Sequence, residues 1–131
     1  MNVFDDVRVD EKSFSYRDLI GQDKWTAWTP LFTSLTVVGA TAYVARYRIS
    51  GKKCEFQIQL SAATSIASTA GTTYVALPFT AKGLSGLAVM TNDTTNIAVG
   101  VCHIDVSASR CYLPSQAASG DTFHVSGWFE T

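Results

Sequence analysis

His103 and His124 are the chain's only histidines, and general-base chemistry near neutral pH would start from one of them. His103 stands two residues before Asp105, so in a strand both point to one side. A carboxylate orients an imidazole in this way in hydrolytic triads. The pattern lacks a strained GxSxG elbow, and same-face polar residues near a strand end are commonly structural. His124 shares a face with Ser126 and Trp128, which suits an interface as well as a site. Neither histidine has metal-ligand spacing, and neither a CxxC nor an EF-hand spacing occurs. We therefore assign no catalytic residue, no metal and no cofactor, and read the protein as non-enzymatic. A glycan-degrading enzyme is the lesser alternative, disfavoured because no acidic pair can be placed across a groove from the sequence.

Saccharide binding needs an aromatic plane for a sugar face to stack on, with Asn, Asp, Gln or Arg groups for its hydroxyls. The aromatic candidates are Trp25, Trp28, Tyr43, Tyr47, Tyr74, Tyr112 and Trp128. In a small β domain most such rings serve the core or a subunit contact. Trp128 is the preferred exception, because it falls on the side of its strand opposite Phe123, Val125 and Phe129. Asn92, Asp93 and Asn96 are the candidate hydroxyl partners; turn formation is the competing use of these residue types. Of the three cysteines, Cys102 and Cys111 flank a tight turn and could face each other across a hairpin, where a disulfide would join them. The competing reading is free thiols in a reducing compartment.

The chain has 131 residues, 47% hydrophobic and 16% charged, which suffices for one core and one domain. Ten Lys plus Arg against eleven Asp plus Glu leave a net charge of -1. No global positive field would attract nucleic acid or an anionic membrane. No apolar run approaches the roughly 20 residues that a spanning helix needs, so no membrane insertion is expected. The acidic start MNVFDDVRVDEK lacks the basic and apolar blocks of a secretory signal. Ser and Thr make up about a fifth of the chain, a composition that favours strands over a helical bundle.

Residues 1–24 carry nearly half of the charged residues and no clean strand alternation. They read as an N-terminal arm, with a short helical turn conceivable around Ser15 to Ile20. Such an arm either contacts another surface or folds over its own domain as an edge strand. From residue 25 to 131 the period is two. Trp25 to Val38 is the first strand, interrupted by Pro30. Ala42 to Ile49 and Lys53 to Leu60 form a hairpin about Ser50-Gly51-Lys52. In its second strand Cys54, Phe56, Ile58 and Leu60 face one way and Glu55, Gln57 and Gln59 the other. Residues 61–72 read as a long loop. Strands follow at TYVALPF, Leu87 to Thr91, Ile97 to Ile104, Arg110 to Leu113 and Thr122 to Glu130, with Pro114 to Asp121 as another loop. Ile97, Val99, Val101 and His103 share one side of their strand.

About eight strands with no crossover helix imply an all-β, antiparallel, jelly-roll-like sandwich preceded by an N-terminal arm. An immunoglobulin-like sandwich is the lesser alternative, because its Cys, Trp, Cys order is missing. Arg46 and Arg48 stand across the hairpin from Glu55, Gln57 and Gln59. They are either cross-strand pairs on a solvated face or part of a subunit contact. A polar face that is Thr- and Gln-rich, without guarding lysines, favours the contact, with Arg46, Arg48, Gln57 and Gln59 at its centre.

The order of landmarks carries a resemblance. WTAWTP precedes FTSLTVVGATAYVARYRISGKKCEFQIQL, then a Ser/Thr loop, then TYVALPFTA with its closing Leu-Pro. Over Trp25 to Thr131 this resembles the small β-sandwich domains of tailed-bacteriophage fibre heads, baseplate receptor-binding proteins and virion decoration proteins. The resemblance implies a homotrimeric virion protein assembled in the host cytoplasm. It would attach to other virion proteins through its arm and bind a host-surface saccharide. The alternative within the same fold is a capsid decoration, or cement, protein without a host ligand. Only 24 residues precede the domain in this sequence, where a fibre head would follow a repetitive shaft, so a long fibre is not expected unless the chain is a fragment.

Overall fold

Alternation of apolar and polar residues builds the longest hairpins, and these form the centre of the fold. The computed structural model describes residues 24–83 and 85–131, so most of the arm, including the turn expected around Ser15 to Ile20, lies outside the described residues. Among the described residues there are twelve strands and no helix: β1 Thr26–Trp28, β2 Phe32–Thr33, β3 Thr36–Val38, β4 Ala42–Ser50, β5 Lys53–Ser61, β6 Ser65–Ser68, β7 Tyr74–Ala76, β8 Gly86–Asn92, β9 Ile97–Asp105, β10 Arg110–Tyr112, β11 Gln116–Ser119 and β12 Phe123–Glu130. All pair antiparallel, in a nine-stranded sheet ordered β1-β4-β5-β12-β8-β9-β10-β7-β2 and a three-stranded sheet ordered β11-β6-β3.

The hairpin β4-β5 turns at Gly51 and Lys52, with Gly51 at φ +64°, a backbone that a glycine adopts without strain. Strand β5 matches its alternation: Cys54, Phe56, Ile58 and Leu60 are buried and Gln59 is exposed. Strand β12 lies between β5 and β8 and sends Phe123, Val125 and Phe129 into the same core. Gly127, opposite both Phe56 and Ala88, continues that row without a side chain, because a Cβ there would run into the Leu87 carbonyl and the Ala88 side chain. The sheet curls far enough that Phe32, on its last strand, packs against Tyr43 near its other end, ring centroids 5.2 Å apart.

Three features depart from the expected strands, two of them raising the count above about eight. The stretch from Trp25 to Val38 is three short strands in different places, as Pro30 ends pairing with β4 and redirects the chain to β7 and then to β6. The two segments expected as loops, 61–72 and 114–121, each contain a strand, β6 and β11, and these pair with each other. Their small hydroxylated residues mask an alternation in which Ile66 and Ser68 are buried. Side chains then complete the strand: Ser68 Oγ donates to the Pro114 carbonyl (2.7 Å) and Gln116 Nε2 to the Ile66 carbonyl (2.6 Å).

The third feature concerns β8 and β9. Their cores are Ala88, Met90, Cys102 and Ile104, whereas Leu87, Val89 and Val101 look outward at 51%, 40% and 66% exposure. A register shift between Met90 and Thr91 skips Val99, which packs against the core. The expected single stripe of Ile97, Val99, Val101 and His103 is therefore broken, with Ile97, Val101 and His103 left exposed.

Candidate functional site

Directly opposed residues in antiparallel strands lie on one face, so register alone maps the outer surface of the large sheet. One row runs from Arg48 to Glu55, Trp128 and Leu87; the next runs from Arg46 to Gln57, Ser126, Val89 and Val101. Trp25, just before β1, closes the first row at the sheet edge, its ring under both guanidinium groups: Arg46 Cζ lies 4.5 Å and Arg48 Cζ 4.7 Å from its centroid. Between these residues lies an open groove of about 320 Å³ lined by Trp25, Arg48, Glu55, Gln57, Leu87, Val89, Ser126 and Trp128, with Phe56, Ala88 and Gly127 beneath.

Charge in the groove is paired and partly exposed. Arg48 Nε donates to Glu55 Oε1 at 2.6 Å, and Lys53 Nζ stands 3.7 Å from Glu55 Oε2. Arg46 Nε donates to Gln57 Oε1 at 2.9 Å. Lys53 also lies over the Trp128 ring, 5.0 Å from its centroid. The cations over Trp25 are held by Glu55 and Gln57 across the hairpin, and Lys53, over Trp128, stands beside Glu55 of its own strand. The groove offers two aromatic planes with polar groups between them, an arrangement suited to stacking a ring-shaped ligand and bonding its hydroxyls. Among the described residues lining it, Glu55 alone carries a carboxylate.

The expected site residues do not all meet. Trp128 opposes Leu87 at one end of β8, whereas Asn92 opposes Phe123 at the other, five residues or ~17 Å along the strand. Asn92 Oδ1 accepts from the amides of Thr94 and Thr95, and its Nδ2 donates to Asp121 Oδ2 at 2.9 Å. Asp93 accepts from Thr91 Oγ1 at 3.0 Å and lies 3.8 Å from His124 Nδ1. Asn96 adopts φ +60°, a left-handed turn position that asparagine tolerates well. These residues build the β8-β9 turn. The bond from Asn92, with that from Ser119, holds the Asp121 carboxyl below its ordinary value. By contrast Arg46, Arg48 and Gln57, expected at a subunit contact, share the groove's face with Trp128. Gln59 lies one row further on, opposite Val44 and His124.

The cysteines Cys54, Cys102 and Cys111 are free and buried. The residue opposite Cys111 is Ile104, so Cys102 is its diagonal neighbour and not its direct partner across the hairpin. A hydrogen bond with Cys102, together with burial, raises the Cys111 thiol well above its ordinary value. Burial, followed by the charge of Glu55, pushes Cys54 up to about 12. Asp105 does not orient His103: its carboxylate accepts from Ser107 Oγ at 2.7 Å and from the Ser107 and Ala108 amides, closing the β9-β10 turn. The Ser107 hydroxyl is also the main reason that its carboxyl titrates low.

The sequence reading missed the juxtaposition of Trp25 with Trp128 and the part played by Leu87 and Val89. Strand β8 is apolar on both faces, so alternation alone did not say which side looks out. A second aromatic group, Tyr74, Tyr112 and His103, stands side by side across β7, β10 and β9. Arg110 lies over the Tyr74 ring at 4.2 Å and donates to the Tyr112 hydroxyl at 3.2 Å. Among the described residues no group of three or more His, Cys, Asp or Glu is placed to hold a metal ion. Fold and groove define an all-β antiparallel protein with an aromatic site on the outer face of its large sheet. Comparison with protein-family models, with curated proteins and with solved structures finds no match.

Proposed function

We propose that this chain is a non-enzymatic, jelly-roll-like virion protein of the tailed-bacteriophage type, which reads a host-surface saccharide in the groove between Trp25 and Trp128. One observation carries the reading: two cation-braced indoles flank an open groove that also presents Gln57, Ser126 and the Arg48–Glu55 pair. A sugar stacks its apolar face on one ring while its hydroxyls meet the polar groups. Among the described residues lining the groove Glu55 is the one carboxylate, which supports binding over hydrolysis by a carboxylate pair. One shallow site binds weakly, so adsorption strength comes from several copies, and a homotrimer on the virion supplies them. Attachment to other virion proteins falls to the N-terminal arm.

The test is binding of the full chain to a panel of purified bacterial surface polysaccharides. Wild type is expected to retain at least one of them, and Trp128→Ala to lose it while keeping its circular dichroism and its mass in solution. Equal binding by both proteins overturns the assignment of the groove. The decoration reading draws on a specific observation, the exposure of Leu87, Val89 and Val101 beside the groove, an apolar surface that a capsid contact would cover. Retention on capsids without binding to any polysaccharide would favour it.

A further inference from the structure

We propose that the outer face of the large sheet carries a second ligand site, at Tyr74, Tyr112, His103 and Arg110, which takes a sugar bearing an anionic group. Register builds the site. Cys111 opposes Val75 and Ile104, and all three are buried, so the residues next to them, Tyr112, Tyr74 and His103, point outward in one row across β10, β7 and β9. Ring centroids lie 5.3 Å apart for Tyr74 and Tyr112 and 6.2 Å apart for Tyr112 and His103; both tyrosines are half-buried and the imidazole is exposed. Arg110 stands in the next row, opposite Ala76 and Asp105. A purely structural use of Arg110 would be an ion pair with Asp105 across the strand. The carboxylate turns instead to Ser107 and Ala108 in the β9-β10 turn, and the guanidinium turns to the rings. It lies over Tyr74, 4.2 Å from the centroid, and its Nη1 donates to the Tyr112 hydroxyl at 3.2 Å, so two aromatic side chains fix the fork before a ligand arrives. A guanidinium has five N–H donors, of which the Tyr112 hydroxyl engages one. An aromatic row with a positioned fork beside it suits a sugar ring whose apolar face rests on Tyr112 and His103 while its carboxylate or phosphate meets Arg110.

The site deepens the function proposed above and rests on it for the saccharide class. With two sites, each chain holds a repetitive surface glycan at two points, which strengthens adsorption without a further copy. The test is nuclear magnetic resonance of the full chain titrated with glucuronate, N-acetylneuraminate and glucose 6-phosphate, with glucose as the neutral control. The charged sugars should shift the signals of Tyr112, His103 and the Arg110 side chain to saturation, and glucose should not. Which charged probes respond tells a carboxylate from a phosphate. Arg110→Gln should weaken the response by about tenfold or more, while the amide of core residue Val125 keeps its position and shows the fold intact. A response to glucose of equal strength, a response that Arg110→Gln leaves unaltered, or no shift at these residues with any probe would overturn the site. Shifts at Trp128 alone would overturn the second site and leave the groove. Shifts at Tyr112 and His103 in a protein whose Trp128→Ala variant still binds polysaccharide as wild type does would overturn the groove and keep the second site.

Discussion

Trp128 and Gly127 are neighbours with opposite duties. The indole faces the groove and leans on Lys53, while the glycine faces inward against Phe56 and the backbone of β8. Trp128→Ala should cost about 1 kcal/mol of stability, since the ring is only half-buried, and urea unfolding would read the change. Gly127→Ala should cost more, about 2 to 3 kcal/mol, because a methyl group has to push β8 away from β12. Equal midpoints for Gly127→Ala and wild type would mean that the two strands part more easily than this close approach implies. Cys54 carries a third expectation. With its thiol buried and its pKa near 12, it should resist alkylation at pH 8 in the native protein and react promptly in denaturant.

At the scale of elements, the β8-β9 turn and the start of β12 are tied together by Asn92 and Asp121. Asn92→Ala removes the acceptor for two turn amides and the donor to Asp121, and should lower stability by about 1 kcal/mol. The sign with pH follows from the depressed carboxyl. A group whose pKa is lowered on folding stabilises the fold above its unfolded value, here near 3.8, and loses that contribution as pH falls through the folded value. The difference between wild type and Asn92→Ala should therefore shrink in acid unfolding below pH 3.8 and be constant at neutral pH. A gap that persists unchanged into strong acid would detach Asp121 from the effect. The side chains that hold a turn are also those that hydrogen-bond a sugar, and the sequence of Asn92, Asp93 and Asn96 cannot separate the two uses.

At the scale of the whole molecule, the described residues form a curled sheet with its ends in contact through Phe32 and Tyr43, and a small second sheet that adds Ile66 to the same core. The protonated Cys54 thiol is part of that core, and its pKa rises from 9.0 to about 12 on folding. Stability tied to a raised pKa is complete below the unfolded value and is lost as pH rises toward the folded one. Alkaline unfolding should accordingly set in between pH 9.0 and about 12, and Cys54→Ala should remove part of that slope. The exposed apolar residues of β8 and β9 bear on assembly. Light scattering at micromolar concentration should give the mass of a trimer, and a monomeric mass would remove the trimer from the proposed function.

Period-two alternation in β4, β5 and β12 was enough to name the all-β class, the antiparallel hairpins and the inward row of Cys54, Phe56, Ile58 and Leu60. In each case one side of the strand is plainly apolar, so local sequence already decides which face is buried. The outward face of Arg46, Arg48, Gln57 and Trp128 was legible for the same reason. Which strands lie side by side was not, because β12 joins β5 across more than sixty intervening residues and no local pattern encodes that pairing. That pairing put Trp128 in one row with Glu55 and Arg48, brought Trp25 to the far side of the same groove, and left Asn92 at the other end of β8. Strand β8, apolar on both sides, could face either way until β12 and β9 flanked it. Once Ala88 and Met90 had filled the narrow space inside the curl, Leu87 and Val89 were turned out to the surface where the groove lies.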